Sequence, residues 1–357
     1  MLTVVMAGGI GERFWPQSRR KRPKQLLDLT GRGSMIRLTI GRLAGLSEPE
    51  EIFVVTNVEQ RGPILQELSG MVPAENIIGE PVGRNTAPCI GLSAVLLSRT
   101  YGNRPMLVLA ADHLIDRVQV FQQSVRIGES YVTERPALLT FGVKPTRAET
   151  GYGYIEAGEI VREQGSARIH RAKAFLEKPD VERAREFVEN GNYYWNSGMF
   201  MWTTETILGA ISTHLPELSR VLTAIDGEIG TRPLDEVLKA WYPQAPSISV
   251  DYGVMEKADG VVVMRAEFDW NDVGSWESIR DVHPADARGN VCIGNHVLID
   301  AADNTIVSRD RTVAIVGVDQ VVVVDGGDTI LVCRRDRVQD VKKVVKTLRD
   351  RNRDELV

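Results

Sequence analysis

Hydrophobic positions in the first half of the chain fall into short continuous runs, Val4–Met6, Ile52–Val55, Met106–Ala111 and Ala137–Val143. Runs of this length, rich in branched side chains, predict buried strands. Between them Ile36, Ile40 and Leu43, and then Ala87, Ile90, Ala94 and Leu97, recur at helical spacing. Alternation of strands with helices predicts crossover units and hence a Rossmann-like α/β fold, a mostly parallel sheet with flanking helices. Open sheets of this kind bind ligands beyond the carboxyl ends of their strands, so the residues that follow each strand are the first candidates for a site.

The middle of the chain predicts further strands at Lys173–Leu176, Met199–Trp202 and Val261–Arg265. A helix between the first two opens on Asp180 as N-cap and closes near Gly191, with Phe187 and Val188 facing its core. Past Asp286 the texture changes. From Asn290 to Cys333 short Val/Ile runs are broken about every 8 to 12 residues by Gly, Asp and Asn, the spacing of a small all-β unit. Val338, Val341, Val344, Val345 and Leu348 then form one helical stripe with a charged opposite face. The expected division is residues 1–285 and residues 286–357. A unit as small as the second is too slight to be stable alone. Its apolar stripe must be covered by its own chain or by a second copy, and a two-fold homodimer, the commonest symmetric solution, is the expectation. Truncation at Asp286 is accordingly expected to disturb assembly and stability before chemistry.

Composition narrows the class. At 43% hydrophobic and 25% charged residues, the 357-residue chain is neither a disordered tail, a collagen-like rod nor a disulfide scaffold. Apolar runs such as Leu107–Ala111 and Val321–Val324 fall far short of the roughly 18 residues a membrane span needs. The first residues lack a basic n-region, so no secretory leader is expected. Cys89, Cys292 and Cys333 form no CxxC pair, which argues against structural zinc and for a reducing, cytoplasmic setting. With a net charge of −5 the chain is a poor nucleic-acid binder. An anionic ligand therefore needs a local basic site.

One segment offers it. In AGGIGERFWPQSRRKRPKQ, Ala7 to Gln25, a strand runs into Gly8, Gly9 and Gly11, where backbone N–H groups can approach an anion without a Cβ in the way. Arg13, Arg19, Arg20, Lys21, Arg22 and Lys24 follow at once. Glycines beside cations suit a polyphosphate, and a glycine turn next to a solvated basic face is the plain alternative. Phe14 occupies the third glycine position of a dinucleotide fingerprint, and no GK[ST] closes a Walker loop. Asp112 ends the Met106–Ala111 run, where a carboxylate can hold a metal or merely cap a helix.

This loop resembles the signature of the sugar-phosphate nucleotidylyltransferases, and FWPQSRRKRPKQ is similar in particular to the mannose-1-phosphate guanylyltransferases. Further matches follow in family order: Gly83–Pro88, Ala111–His113, Phe175–Pro179, Tyr194–Phe200, Ser249–Glu256 and Phe268–Trp276. The resemblance implies transfer of GMP from GTP to mannose 1-phosphate with release of pyrophosphate, and it implies a small left-handed β-helix for the tail. It gives Arg13 and Lys24 the catalytic roles at the phosphates, with Ala7, Gly8, Gly9, Gly11, Arg84, Asn85 and Asp112 at the nucleotide. Gly153, Glu177, Lys178 and Asn196 fall to the sugar phosphate, and Asp112 and Asp272 to Mg²⁺, with Asp269 as rival ligand. Arg19 to Arg22 read as loop-surface charges, one of which could reach the leaving pyrophosphate, and His113 and the tryptophans as scaffold. Joining two anions calls for positioning and charge neutralisation rather than a protein nucleophile. The cupin-like isomerase domain of some members is not found after the tail, so isomerase activity is not expected. The alternatives are another nucleotide or hexose 1-phosphate on the same fold, or a silent paralogue that binds nucleotide sugar and a partner subunit. Retention of Arg13, Lys24, Asp112, Lys178 and Asp272 together speaks against the silent form.

Overall fold

The computed structural model describes residues 1–357. Each apolar run singled out above falls on a strand, with Ala111 and Ala137 just outside theirs. The strands before residue 272 are β1 (Leu2–Met6), β2 (Ile52–Asn57), β3 (Ile77–Glu80), β4 (Pro105–Ala110), β5 (Leu114–Ile115) and β6 (Leu138–Val143). They continue with β7 (Tyr154–Gln164), β8 (Ala167–Leu176), β9 (Tyr193–Thr203), β10 (Val261–Arg265) and β11 (Trp270–Asn271). Nine of them form one sheet in the order β3-β2-β1-β4-β9-β6-β10-β8-β7. The first four run parallel, as the strand–helix alternation requires. Beyond β4 the sheet is mixed. β9 lies antiparallel to both β4 and β6, and β7 and β8 pair as an antiparallel hairpin. Only Gly165 and Ser166 separate β7 from β8, and Gly165 has φ +61°, the left-handed conformation that a two-residue hairpin turn needs.

The chain packs as two compact units, and both are discontinuous in sequence. The first comprises Met1–Gly8, Ile40–Ala111 and Ile115–Trp270 and contains the sheet. Its core includes Val4, Val108, Phe200 and Trp202 from the strands and the helix Thr86–Tyr101, buried from Ala87 to Leu97. Asp180 caps the helix Val181–Asn190 by accepting from the Arg183 N–H at 2.9 Å, and Gly191 ends it at φ +77°. Phe187 is buried there, whereas Val188 is only half-buried.

The second unit comprises Gly9–Thr39, Asp112–Leu114 and Asn271–Val357. It therefore takes in the glycine-rich loop as well as the tail, and does not follow the sequence division near residue 285. The reason is apolar. Phe14, Trp15, Leu27 and Met35 share one core with Trp276, Val291, Val307, Val322 and Val345. The tail strands are β12 (Val291–Ile299), β13 (Thr305–Val316), β14 (Val321–Asp325) and β15 (Ile330–Arg334). β12, β13 and β14 stack in parallel, and β15 returns antiparallel. Parallel neighbours joined without a helix make the β-helix-like coil, and buried asparagines hold one corner of it. Asn304 donates its side-chain amide to Asn290 Oδ1 at 3.1 Å, and its own Oδ1 accepts from the Val321 N–H at 3.0 Å.

The apolar stripe of the C-terminal helix is spent inside this unit. Val338, Val341 and Val345 are buried in the core shared with Phe14 and Trp15, Leu348 packs against it, and Val344 stays exposed. The chain itself thus covers the stripe apart from Val344.

Candidate active site

Within the second unit the loop after Gly9 is built around Lys24. A short 3-10 turn, Glu12–Phe14, buries Phe14, whose ring meets Trp276 edge-on at 4.9 Å. The Lys24 N–H donates to Ile10 O at 3.1 Å and the Ser18 hydroxyl to Gly11 O at 2.7 Å, drawing the loop into a tight fold. Gly11 has φ +74°, and a Cβ on it would collide with Lys24 Cβ. The position needs glycine for both reasons.

Lys24 is only 5% exposed. Its ammonium donates to Asp112 Oδ2 at 2.8 Å and to the Asp272 carbonyl at 2.6 Å, and sits 5.6 Å from the Phe14 ring centroid. Burial pushes the Asp112 carboxyl up, but the Lys24 and His113 charges and the Lys24 hydrogen bond outweigh it and hold the group below its ordinary value. A cavity of about 300 Å³ opens here, lined by Arg13, Lys24, Asp112, His113 and Asp272, and by Lys342 of the C-terminal helix. Arg13 contacts Gly274 O only at 3.5 Å, so its guanidinium is hardly committed.

The structure thus brings Arg13, Lys24, Asp112 and Asp272, from three separate stretches of the chain, into one cavity. The two carboxylates offer hard oxygen donors, and no third acid, histidine or cysteine completes a protein-only cage around them. That donor set fits Mg²⁺, which typically takes one or two carboxylates and fills its shell with phosphate oxygens and water. Asp269 is not among the lining residues: it forms a two-pronged pair with Arg117 at 3.0 and 3.1 Å on the surface of the first unit. Arg19 is not a free surface charge either. It bonds Asp328 at 2.7 Å and Thr329 at 2.8 Å and reaches the Leu356 carbonyl, while Arg20 pairs with Asp354. His113, expected as scaffold, lines the cavity.

The first unit carries a second polar cluster. Gly153 is buried, and a Cβ on it would collide with Glu177 Oε2, so this glycine makes room for a carboxylate. Glu177 Oε2 itself is buried and accepts no hydrogen bond, a costly state that a ligand hydroxyl relieves. Lys178 stands beside it, Nζ to Glu177 Oε1 3.5 Å, with its backbone at φ +48°. Such strain in a non-glycine residue concentrates at functional sites. Asn196 is more committed than expected of a sugar ligand. It donates to Asp251 Oδ1 at 2.7 Å, and its Oδ1 accepts from the Gly198 N–H at 3.1 Å. Burial, then the neighbouring Asp251 charge, raises the Glu177 pKa, and burial raises that of Asp251. Asp251 lies in the Ser249–Glu256 match, but nothing in a lone sequence distinguishes it from its neighbours there.

Other expected nucleotide contacts are engaged in structure. The Ala7 N–H donates to Val55 O at 2.7 Å and its carbonyl accepts from Thr56 at 2.9 Å, whereas Gly8 and Gly9 are exposed. Asn85 caps the helix Thr86–Tyr101, accepting from the Thr86 N–H at 2.8 Å, and Arg84 donates to Pro243 O.

Glu80, at the end of β3, went unnoticed in the sequence. It is 6% exposed, and the Tyr242 hydroxyl donates to it. Burial lifts its pKa from the ordinary 4.5 to about 7, Tyr242 offsetting only part of the shift. An acid raised on folding keeps its proton longer in the native state, so stability falls as pH rises through this window. The loss between about pH 5 and about pH 8 should approach roughly 3 kcal/mol. Denaturant unfolding of the wild type and of Glu80→Gln should differ in slope across that range. Parallel curves would show that Glu80 is ionised normally.

Comparisons with known proteins cover nearly the whole chain. Residues 2–289 match the nucleotidyl transferase family model, and residues 294–348 match that of the mannose-phosphate isomerase/GMP-like β-helix domain. A mannose-1-phosphate guanylyltransferase of Escherichia coli is 42% identical over 99% of this chain and 75% of its own length. The alginate biosynthesis protein AlgA of Pseudomonas aeruginosa is 38% identical over 99% of this chain and 73% of its own. Among solved structures, that of a mannose-1-phosphate geranyltransferase from Thermus thermophilus superposes with a TM-score of 0.86 at 34% identity, covering 98% of this chain and 99% of the other.

Proposed function

Because this chain belongs to the mannose-1-phosphate guanylyltransferase family of sugar-1-phosphate nucleotidyltransferases, we propose that it transfers GMP from GTP to α-D-mannose 1-phosphate, forming GDP-mannose and pyrophosphate. The observation that carries the reading is the gathering of Arg13, Lys24, Asp112 and Asp272 in one cavity. Nucleotidyl transfer needs that set, because two anions must meet and a third must leave. An oxygen of the sugar phosphate attacks the α-phosphorus, the bond from the α-phosphorus to the α–β bridging oxygen breaks, and pyrophosphate departs with its electron pair. Arg13 neutralises charge developing on the α-phosphate. Lys24, fixed by Asp112 and the Asp272 carbonyl, holds a phosphate oxygen without having to reorganise. Mg²⁺ bound by Asp112 and Asp272 would supply further neutralisation of the triphosphate.

For the sugar, Glu177 Oε2 accepts a ring hydroxyl and Lys178 meets the phosphate. Asn196 orients Asp251 rather than serving as the main ligand. The preference for guanine and for mannose is drawn from the relatives. Assay of pyrophosphate release over four nucleoside triphosphates and several hexose 1-phosphates tests it. Mannose 1-phosphate with GTP and Mg²⁺ should exceed every other pair by at least about tenfold in kcat/KM, the scale of a few lost hydrogen bonds. A different best pair would replace the base or sugar assignment.

A further inference from the structure

We propose that Lys342, on the C-terminal helix, is a polyphosphate-binding residue that meets the phosphates leaving as pyrophosphate. The proposal rests on the nucleotidyl-transfer reading and adds to it a residue from outside the region where all the expected site residues lie.

Lys342 lines the same cavity as Arg13, Lys24, Asp112 and Asp272. It forms no ion pair or hydrogen bond within the chain, whereas its neighbour Lys343 is held by Asp340 at 2.6 Å. It is also the second residue of the helix Val341–Asp350. A cation in the first turn of a helix opposes the macrodipole, a small cost that an anion beside it reverses.

The helix that carries it is anchored to the loop it serves. Arg349 pairs with Glu12 at 2.8 Å, and Val341 and Val345 lie in the core with Phe14. Trp15 donates its indole N–H to Leu356 O at 2.8 Å just beyond the helix. These contacts hold the Lys342 backbone in a fixed place relative to Arg13 and Lys24, so the ammonium is delivered to the cavity and not merely swept past it.

Charge makes the need plain. The cavity lining holds Arg13, Lys24 and Lys342 against Glu12, Asp112 and Asp272. Without Lys342 the balance is negative, and a nucleoside triphosphate brings several more negative charges. Lys24 is buried and tied to Asp112 and Asp272, while Lys342 is exposed on the solvent side. A flexible ammonium on that side suits the part of the substrate that must depart.

The test is calorimetric titration of the full chain with inorganic pyrophosphate and Mg²⁺. Lys342→Gln should weaken binding about tenfold, the scale of one charge-assisted phosphate contact, and Lys342→Arg should restore most of it. Lys343→Gln removes the same charge from the same turn, outside the cavity, and should bind like wild type. In the reverse reaction the KM for pyrophosphate should rise in Lys342→Gln by a similar factor while the KM for nucleotide sugar holds. Unchanged pyrophosphate affinity in Lys342→Gln, or an equal loss in Lys343→Gln, overturns the proposal. Failure of the wild type to form GDP-mannose would overturn the base and sugar assignment alone, since the titration contains neither.

Discussion

Lys24→Met is expected to lower turnover by about 10²- to 10³-fold, the scale of losing a fixed electrostatic stabiliser. Lys24 is buried and joins two of the site's elements, donating to Asp112 Oδ2 and to the Asp272 carbonyl. Methionine keeps most of the side chain's apolar length but removes the charge, and with it the ammonium beside the Phe14 ring. Asp112 then loses the partner that holds its pKa down, so the carboxylate becomes harder to keep ionised as well as misplaced. Stability should fall by only about 2 kcal/mol, because Asp112 is partly open to solvent and its lost partner is replaced in part by water. Steady-state rates at saturating GTP, read beside thermal melts, separate the two effects. Turnover within about threefold of wild type in a folded Lys24→Met protein would take Lys24 out of the chemistry.

Removing residues 341–357 should abolish measurable turnover while the nine-stranded unit stays folded. This reverses the expectation that chemistry would outlast loss of the tail. Val341, Val345 and Val357 are buried with Phe14 and Trp15, and at roughly 1.5–3 kcal/mol per buried side chain their loss is comparable to the whole stability of a small domain. Arg349–Glu12, the Trp15–Leu356 hydrogen bond and the Arg20 N–H to Val357 O go with them. The loop would then lose the support that fixes Arg13 and Lys24. The first unit ends at Trp270, well before the deleted segment, so far-UV circular dichroism should retain most of its signal. Activity above about a tenth of wild type in the truncated chain would show that the loop stands on its own.

Short-range features were legible without coordinates. The runs around Val4, Val54, Val108 and Leu139 became strands because a stretch of branched apolar residues has few other ways to be buried. Asp180 and Gly191 bounded their helix through contacts a few residues long. Arg13, Lys24 and Asp112 stand in short patterns with a local signal, whereas Asp272 was marked only by the family resemblance; the fold lines one cavity with all four. The mixed half of the sheet was not legible, because whether β9 enters between β4 and β6 depends on pairings far apart in the chain.

Several roles were decided only by tertiary structure. Glu80 and Tyr242 lie 162 residues apart, and each alone is an ordinary residue; their burial together perturbs both. Asn196 has a sugar-binding composition, yet Asp251 and the Gly198 N–H claim its amide. The stripe Val338, Val341, Val345 and Leu348 told that a surface must be covered and left open by what, because periodicity defines a face and carries no information about its partner. The partner is the loop around Phe14 and Trp15. That same packing turns Lys342 from one charge on a polar helix face into a lining residue of the phosphate cavity. The sequence alone determined the strands built on continuous apolar runs, the caps at Asp180 and Gly191, and the crowding of glycines and cations in one loop, all set by neighbours along the chain. The folded chain decided which distant side chains meet, because only burial in a common core can tell one exposed-looking charge from another.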